Sequence, residues 1–96
     1  MAYFAMTYNL VDDYMTRRGA FREGHLKLAA DAHARGELIL GGAFADPPDK
    51  ALIIFRAKDS KVAESFARND PYVLNGLVKD WEIRPWNVVI GNTEVG

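Results

Sequence analysis

Two short polar motifs stand far apart in this chain: Arg22-Glu23-Gly24-His25-Leu26 and Asn69-Asp70-Pro71-Tyr72. A histidine on an apolar helix face and an aspartate at a helix start are the ingredients of an imidazole–carboxylate dyad. The carboxylate holds one ring nitrogen and leaves the other free to take or give a proton near neutral pH. Such a base serves halide elimination, tautomerisation and isomerisation, none of which requires a metal or an organic cofactor. In this reading His25 is the general base or acid and Asp70 orients it. Each residue also has a plainer role. An inward histidine can simply satisfy a backbone carbonyl, and an aspartate ahead of a proline can simply cap a helix, contributing about 1 kcal/mol.

Three further residues are candidates for holding a substrate. Arg22, one turn before His25, could bind a carboxylate or phenolate, or be a solvated surface arginine. Tyr72 and Trp86 could line an aromatic pocket, or serve as core or interface residues. Other chemistries find little support. His33 follows His25 on the same helix without a clustered carboxylate, so no metal site is expected. Gly41-Gly42 lacks the spacing and following helix of a phosphate or dinucleotide loop. Ser60 and Ser65 lack a nucleophile context, and no cofactor is implied.

The chain has 96 residues, 49% of them hydrophobic and 26% charged, which suits one folded domain with one core. Its formal net charge of −1 and pI of about 6.1 offer no basic field for nucleic acid or anionic lipid. There is no cysteine, so disulfides and thiolate chemistry are excluded. No apolar run approaches the roughly 20 residues of a membrane span, and the first residues do not read as a signal peptide. The expectation is a cytoplasmic protein with no membrane or nucleic-acid partner.

The elements that must position the motifs follow from periodicity. Residues 2–9 read as a strand, ended by the polar Asn9. Asp12 and Asp13 suit a helix start, and Gly19 divides a short first helical piece from a main helix near 20–35. On that helix Phe21, Leu28, Ala29 and Ala32 share one face, His25 falls within their arc, and Gly36 is a natural terminator. Lys27, Asp31 and Arg35 take the opposite, solvated side. Strands follow over 37–44 and 51–55, separated by the turn Asp46-Pro47-Pro48-Asp49. A helix over 60–68, capped from Asp59-Ser60, buries Val62, Ala63 and Phe66. Asp70-Pro71 then starts a helical turn, and a last strand covers 78–90, with Pro85 marking a bulge or an edge. Residues 1–91 thus form one domain and 92–96 a tail.

The order βαββαβ predicts an α+β fold, a ferredoxin-like plait with both helices on one face of a four-stranded antiparallel sheet. Two helices cannot cover both sheet faces, yet Ala51 to Phe55 is apolar without interruption, and Tyr3, Phe44, Trp81 and Trp86 add aromatic surface. A homodimer through the open sheet face is therefore expected.

With the motifs and frame in place, the chain resembles the YCII-related family of small dimeric α/β-barrel proteins. The likeness runs through about residues 2–90 and rests on Arg22-x-x-His25-Leu26, Gly36-x-Leu38 and Gly41-Gly42, Asp70-Pro71-Tyr72-Val73-x-x-Gly76, and Arg84-Pro85-Trp86. The resemblance implies a dimeric barrel built on the plait and an active site at His25 and Asp70. It also implies kinship with muconolactone-isomerase-like barrels and with dehydrochlorinases of chlorinated hydroxyhydroquinones. The expected function is a cofactor-independent lyase or isomerase acting on a small metabolite. The alternative is a non-catalytic dimeric module that binds a small ligand or a protein.

Overall fold

The computed structural model describes residues 1–91; the tail expected over 92–96 lies outside them. Its elements in order are β1 (Ala2–Leu10), α1 (Tyr14–Arg17), a 3-10 turn (Arg18–Ala20), α2 (Arg22–Ala34), β2 (Leu38–Ala43), β3 (Lys50–Ala57), α3 (Lys61–Asn69), α4 (Pro71–Leu74) and β4 (Val78–Trp86). The fold is α+β, with one antiparallel sheet in the order β2-β3-β1-β4.

β1 is central and carries the clearest pattern. Phe4, Met6, Tyr8 and Leu10 are buried, while the residues between them are half-buried on the other face, as the two-residue repeat of a strand requires. The buried set packs with Ile53 and Phe55 of β3 and with Ala63, Phe66, Ala67 and Tyr72 of the helices. The core thus lies between the helices and one face of the sheet. The opposite face bears Tyr3, Ile54 and Trp86, placed together by the pairing of Tyr3 with Trp86 and of Ala5 with Ile54.

The helix ends follow from local chemistry. Gly36 has φ 80° and Gly76 has φ 77°, where a side chain would be strained. Gly36 N–H donates to the His33 carbonyl and Glu37 N–H to the Ala32 carbonyl. Gly76 and Leu77 repeat that pair on Val73 and Tyr72. Both helices therefore finish in a Schellman motif, and the chain turns directly into β2 and towards β4.

Several expectations need correction. The sheet is not closed into a barrel, nor strongly curled: among the described residues β2 pairs only with β3 and β4 only with β1, leaving two open edges. Four strands are too few to meet around a circle, since closed barrels with filled interiors use about eight. The last strand ends at Trp86 rather than at residue 90, because its partner β1 begins at Ala2, opposite Ala57 and next to Tyr3, the partner of Trp86. Ser60 does not cap α3. Its hydroxyl donates to Glu64, and the Asp59 carboxylate receives the Lys61 N–H at 2.9 Å instead. Asp13 likewise makes no side-chain cap at α1. Among the described residues no helix is long and apolar enough to cross a membrane.

Candidate active site

Asp70 sits where the chain must change direction. Pro71 disfavours the helical conformation for the residue before it, and Asp70 accordingly takes φ −74°, ψ 121°, ending α3 and capping α4. Its side chain turns back into the protein and is fully buried, at 0% exposure. There, among the described residues, the carboxylate is met only by donors. His25 Nδ1 lies 2.8 Å from Oδ1 and 3.0 Å from Oδ2, the Tyr8 hydroxyl donates to Oδ2 at 2.8 Å, and the Tyr72 N–H donates to Oδ1 at 3.0 Å. A buried carboxylate is tolerable only with such a shell.

That shell assigns the imidazole. Asp70 accepts, so Nδ1 of His25 carries a proton and donates it. Nε2 is then left with its lone pair, and it has no hydrogen-bond partner among the described residues. The ring is also held in plane: it stacks on Tyr72 with centroids 3.9 Å apart and an interplanar angle of 10°, and the edge contact with Phe66 spans 6.4 Å. The His25 side chain retains 17% exposure, and it lines a cavity of about 470 Å³. That volume falls within the usual range for small-molecule sites.

The cavity lies between α1, the start of α2 and β2. Tyr14, Arg18, Arg22, His25 and Tyr72 give it polar lining, and Gly41, Gly42, Ala43, Phe44 and Ala45 also line it. Tyr72 is buried, and among the described residues its hydroxyl has no partner in good hydrogen-bond geometry, with Tyr14 and Arg22 beside it. Burial pushes that phenol above its ordinary range, Tyr14 adds to the effect, and Arg22 opposes it. Tyr8 is raised more strongly, by burial first and then by the charge and hydrogen bond of Asp70. Both phenols are therefore proton donors across the neutral range.

The structure thus brings together His25, Asp70 and Tyr72, and places the exposed Arg22 on the wall of the same cavity. Trp86 does not join them. It shares the outer sheet face with Tyr3, is half exposed, and contributes nothing to the cavity. His33 donates from Nδ1 to the Leu38 carbonyl at 2.8 Å, and no group of metal-ligating side chains exists among the described residues. Sequence reasoning missed Tyr8, Tyr14, Arg18 and Phe44. For Tyr8 a signal existed: the alternation of β1 puts it inside, and a buried tyrosine hydroxyl needs an acceptor.

The α+β sheet thus carries a buried His–Asp pair beside an open cavity. Residues 1–87 match the YCII-related domain, and the chain belongs to that family. A search of curated proteins found no match. Among solved structures, one similar to this chain is 5-chloro-2-hydroxyhydroquinone dehydrochlorinase from Burkholderia phenoliruptrix AC1100, in complex with 2,5-dihydroxybenzoquinone. It aligns at 18% identity and TM-score 0.74 over 88% of this chain and 93% of that one. A NIPSNAP family protein of Agrobacterium tumefaciens aligns at 14% identity and TM-score 0.58, over 91% of each chain. Protein Atu4242 of the same organism aligns at 20% identity and TM-score 0.60, over 93% and 94%. At these identities the likeness is one of fold.

Proposed function

We propose that this protein is a cofactor-independent lyase or isomerase in which His25 Nε2 moves a proton on a small hydroxylated ring or lactone. The observation that carries the reading is the 2.8 Å contact between His25 Nδ1 and Asp70, which leaves the other ring nitrogen as an acceptor in a ligand-sized cavity. A base in that position could remove an acidic O–H or C–H proton. The electron pair left behind would shift a double bond, with the imidazolium returning its proton to a ring carbon; from a tautomer whose halide sits on such a protonated, saturated carbon, a second deprotonation would expel the halide and leave the proton on His25 to pass to water. Asp70 would hold the tautomer and balance the charge on the imidazolium. The fold likeness to a dehydrochlorinase, bound to a dihydroxybenzoquinone, supports the choice of substrate class.

The test is a substrate panel of chlorinated hydroxyhydroquinones, quinols, lactones and muconates, followed for halide release and for exchange of ring protons with D₂O. The expected result is conversion or exchange of at least one compound, reduced about 100-fold or more in His25→Ala. Binding without turnover across the panel would instead identify a non-catalytic ligand-binding module.

The homodimer belongs to the same proposal. The outer sheet face carries Tyr3, Leu52 and Ile54, and Trp86 at one margin, with Leu40 exposed at the edge strand. A second copy packed on this open face would remove that apolar surface from water, and it gives Trp86 an interface role instead of a substrate contact.

A further inference from the structure

We infer that Arg22 and the Tyr72 hydroxyl form a subsite for a singly charged planar oxyanion, a phenolate, enolate or carboxylate, on the cavity wall beside His25. This names the ligand class of the cavity and so rests on its being the functional site, but it does not require His25 to be a catalyst.

Two independent observations carry it. The first is the charge of the walls. Arg18, Arg22 and His25 line the cavity, and among the described residues no aspartate or glutamate does; Asp70 lies behind His25, sealed from it. A small concave site with cationic walls and apolar flanks concentrates anions. The second is the Tyr72 hydroxyl itself, a buried side-chain polar atom that among the described residues has Tyr14 and Arg22 as polar neighbours but no partner in good hydrogen-bond geometry. Buried hydroxyls are almost always paired, and an unmet donor at a cavity wall is explained by a ligand that accepts from it. The hydroxyl cannot serve Asp70, whose oxygens are taken by His25, Tyr8 and the Tyr72 backbone N–H.

The surroundings fit a flat guest. The Tyr72 ring is stacked on His25 and meets Tyr14 edge-on at 5.6 Å, so the phenol direction is fixed. Arg18 lies over the Tyr14 ring at 5.9 Å, adding positive charge to the same wall. Gly41, Gly42 and Ala43 line the same cavity with backbone and small side chains, and its volume of about 470 Å³ is ample for a single ring. An oxygen bound at Tyr72 and Arg22 would set the ring beside His25 Nε2.

The experiment is an NMR titration of the ¹⁵N-labelled protein with two anions, benzoate and 4-nitrophenolate, and their neutral counterparts, benzamide and 4-nitroanisole. Wild type, Arg22→Gln, Tyr72→Phe and His25→Ala are compared. The anions are expected to bind at least tenfold tighter than the neutral compounds and to shift amides around the cavity. Arg22→Gln should erase that preference while leaving the neutral compounds unaffected. Tyr72→Phe should weaken the anions severalfold yet leave the melting temperature of the free protein unchanged or higher, because an unpaired buried hydroxyl has been removed. Tighter binding of nitrophenolate marks a phenolate or enolate site and of benzoate a carboxylate site; either supports the subsite. Equal affinity for charged and neutral probes, no anion binding at millimolar concentration, or an unchanged preference in Arg22→Gln would overturn it. If no substrate is turned over but the anion preference holds and survives in His25→Ala, the catalytic reading fails and the subsite stands.

Discussion

Asp70 does three things with two oxygens: it caps α4, receives the Tyr8 hydroxyl and holds the His25 imidazole. Capping and orienting therefore do not compete; the cap is what places a carboxylate inside the protein. Tyr8 completes the shell, and Tyr8→Phe is expected to cost about 1.5–3 kcal/mol in a urea titration, the usual range for a hydrogen bond to a charged group. A change within a few tenths would contradict the role assigned to the hydroxyl. The pH dependence follows from the raised phenol. The folded protein keeps the Tyr8 proton beyond the pH at which the unfolded chain releases it, about 10. Its stability contribution is complete below that pH and is lost as pH rises further. The advantage of wild type over Tyr8→Phe should thus shrink above about pH 10, at up to about 1.4 kcal/mol per pH unit. A difference that stays constant into the alkaline range would count against it.

At the scale of elements, the dyad depends on how closely α2 approaches α4. Gly24 allows it: a Cβ there would stand 3.1 Å from Pro71 Cγ, inside the usual contact distance. Gly24→Ala gains up to about 1 kcal/mol of helix propensity, opposed by the proline ring next to Asp70. The expected outcome is a melting temperature near that of wild type with a weakened His25–Asp70 contact, seen as faster solvent exchange of the His25 Nδ1 proton. An undisturbed proton signal would show that α2 tolerates the methyl group. The same elements explain how far the site could be read from residues alone. His25 and Asp70 were legible because a 3.6-residue repeat fixes which way a helical side chain faces, and because Asp-Pro marks a helix start. Tyr8 was legible as buried but not as a partner, since strand alternation sets a face and says nothing about which acceptor lies across it. Arg18 and Phe44 come from a 3-10 turn and from the residue after β2, where no periodicity directs a side chain. The end of β4 depended on the length of its neighbour, which local sequence does not encode.

Across the whole molecule, the helices protect one side of the sheet and leave the other open. The βαββαβ order was readable from alternating and helical patterns, whereas the extent of sheet curvature was not, because it arises from strand number and pairing. Ile54, on the outer face, is only 6% exposed, while Leu40 is 69% and Trp86 48% exposed. Sedimentation should therefore report a dimer at micromolar concentration, and Leu40→Glu with Trp86→Glu should yield a folded monomer with unchanged far-UV circular dichroism. A wild-type monomer at all concentrations would refute the proposed pairing.

The central claim is that the proton between His25 and Asp70 resides on Nδ1, so that Nε2 presents a lone pair to the cavity. Long-range ¹H–¹⁵N NMR of the histidine side chains, recorded at mildly alkaline pH, measures this directly. The account predicts a protonated, pyrrole-type Nδ1 and a bare, pyridine-type Nε2 in wild type, with the Nδ1 preference weakened in Asp70→Asn. A proton found on Nε2 in the wild-type protein would contradict it.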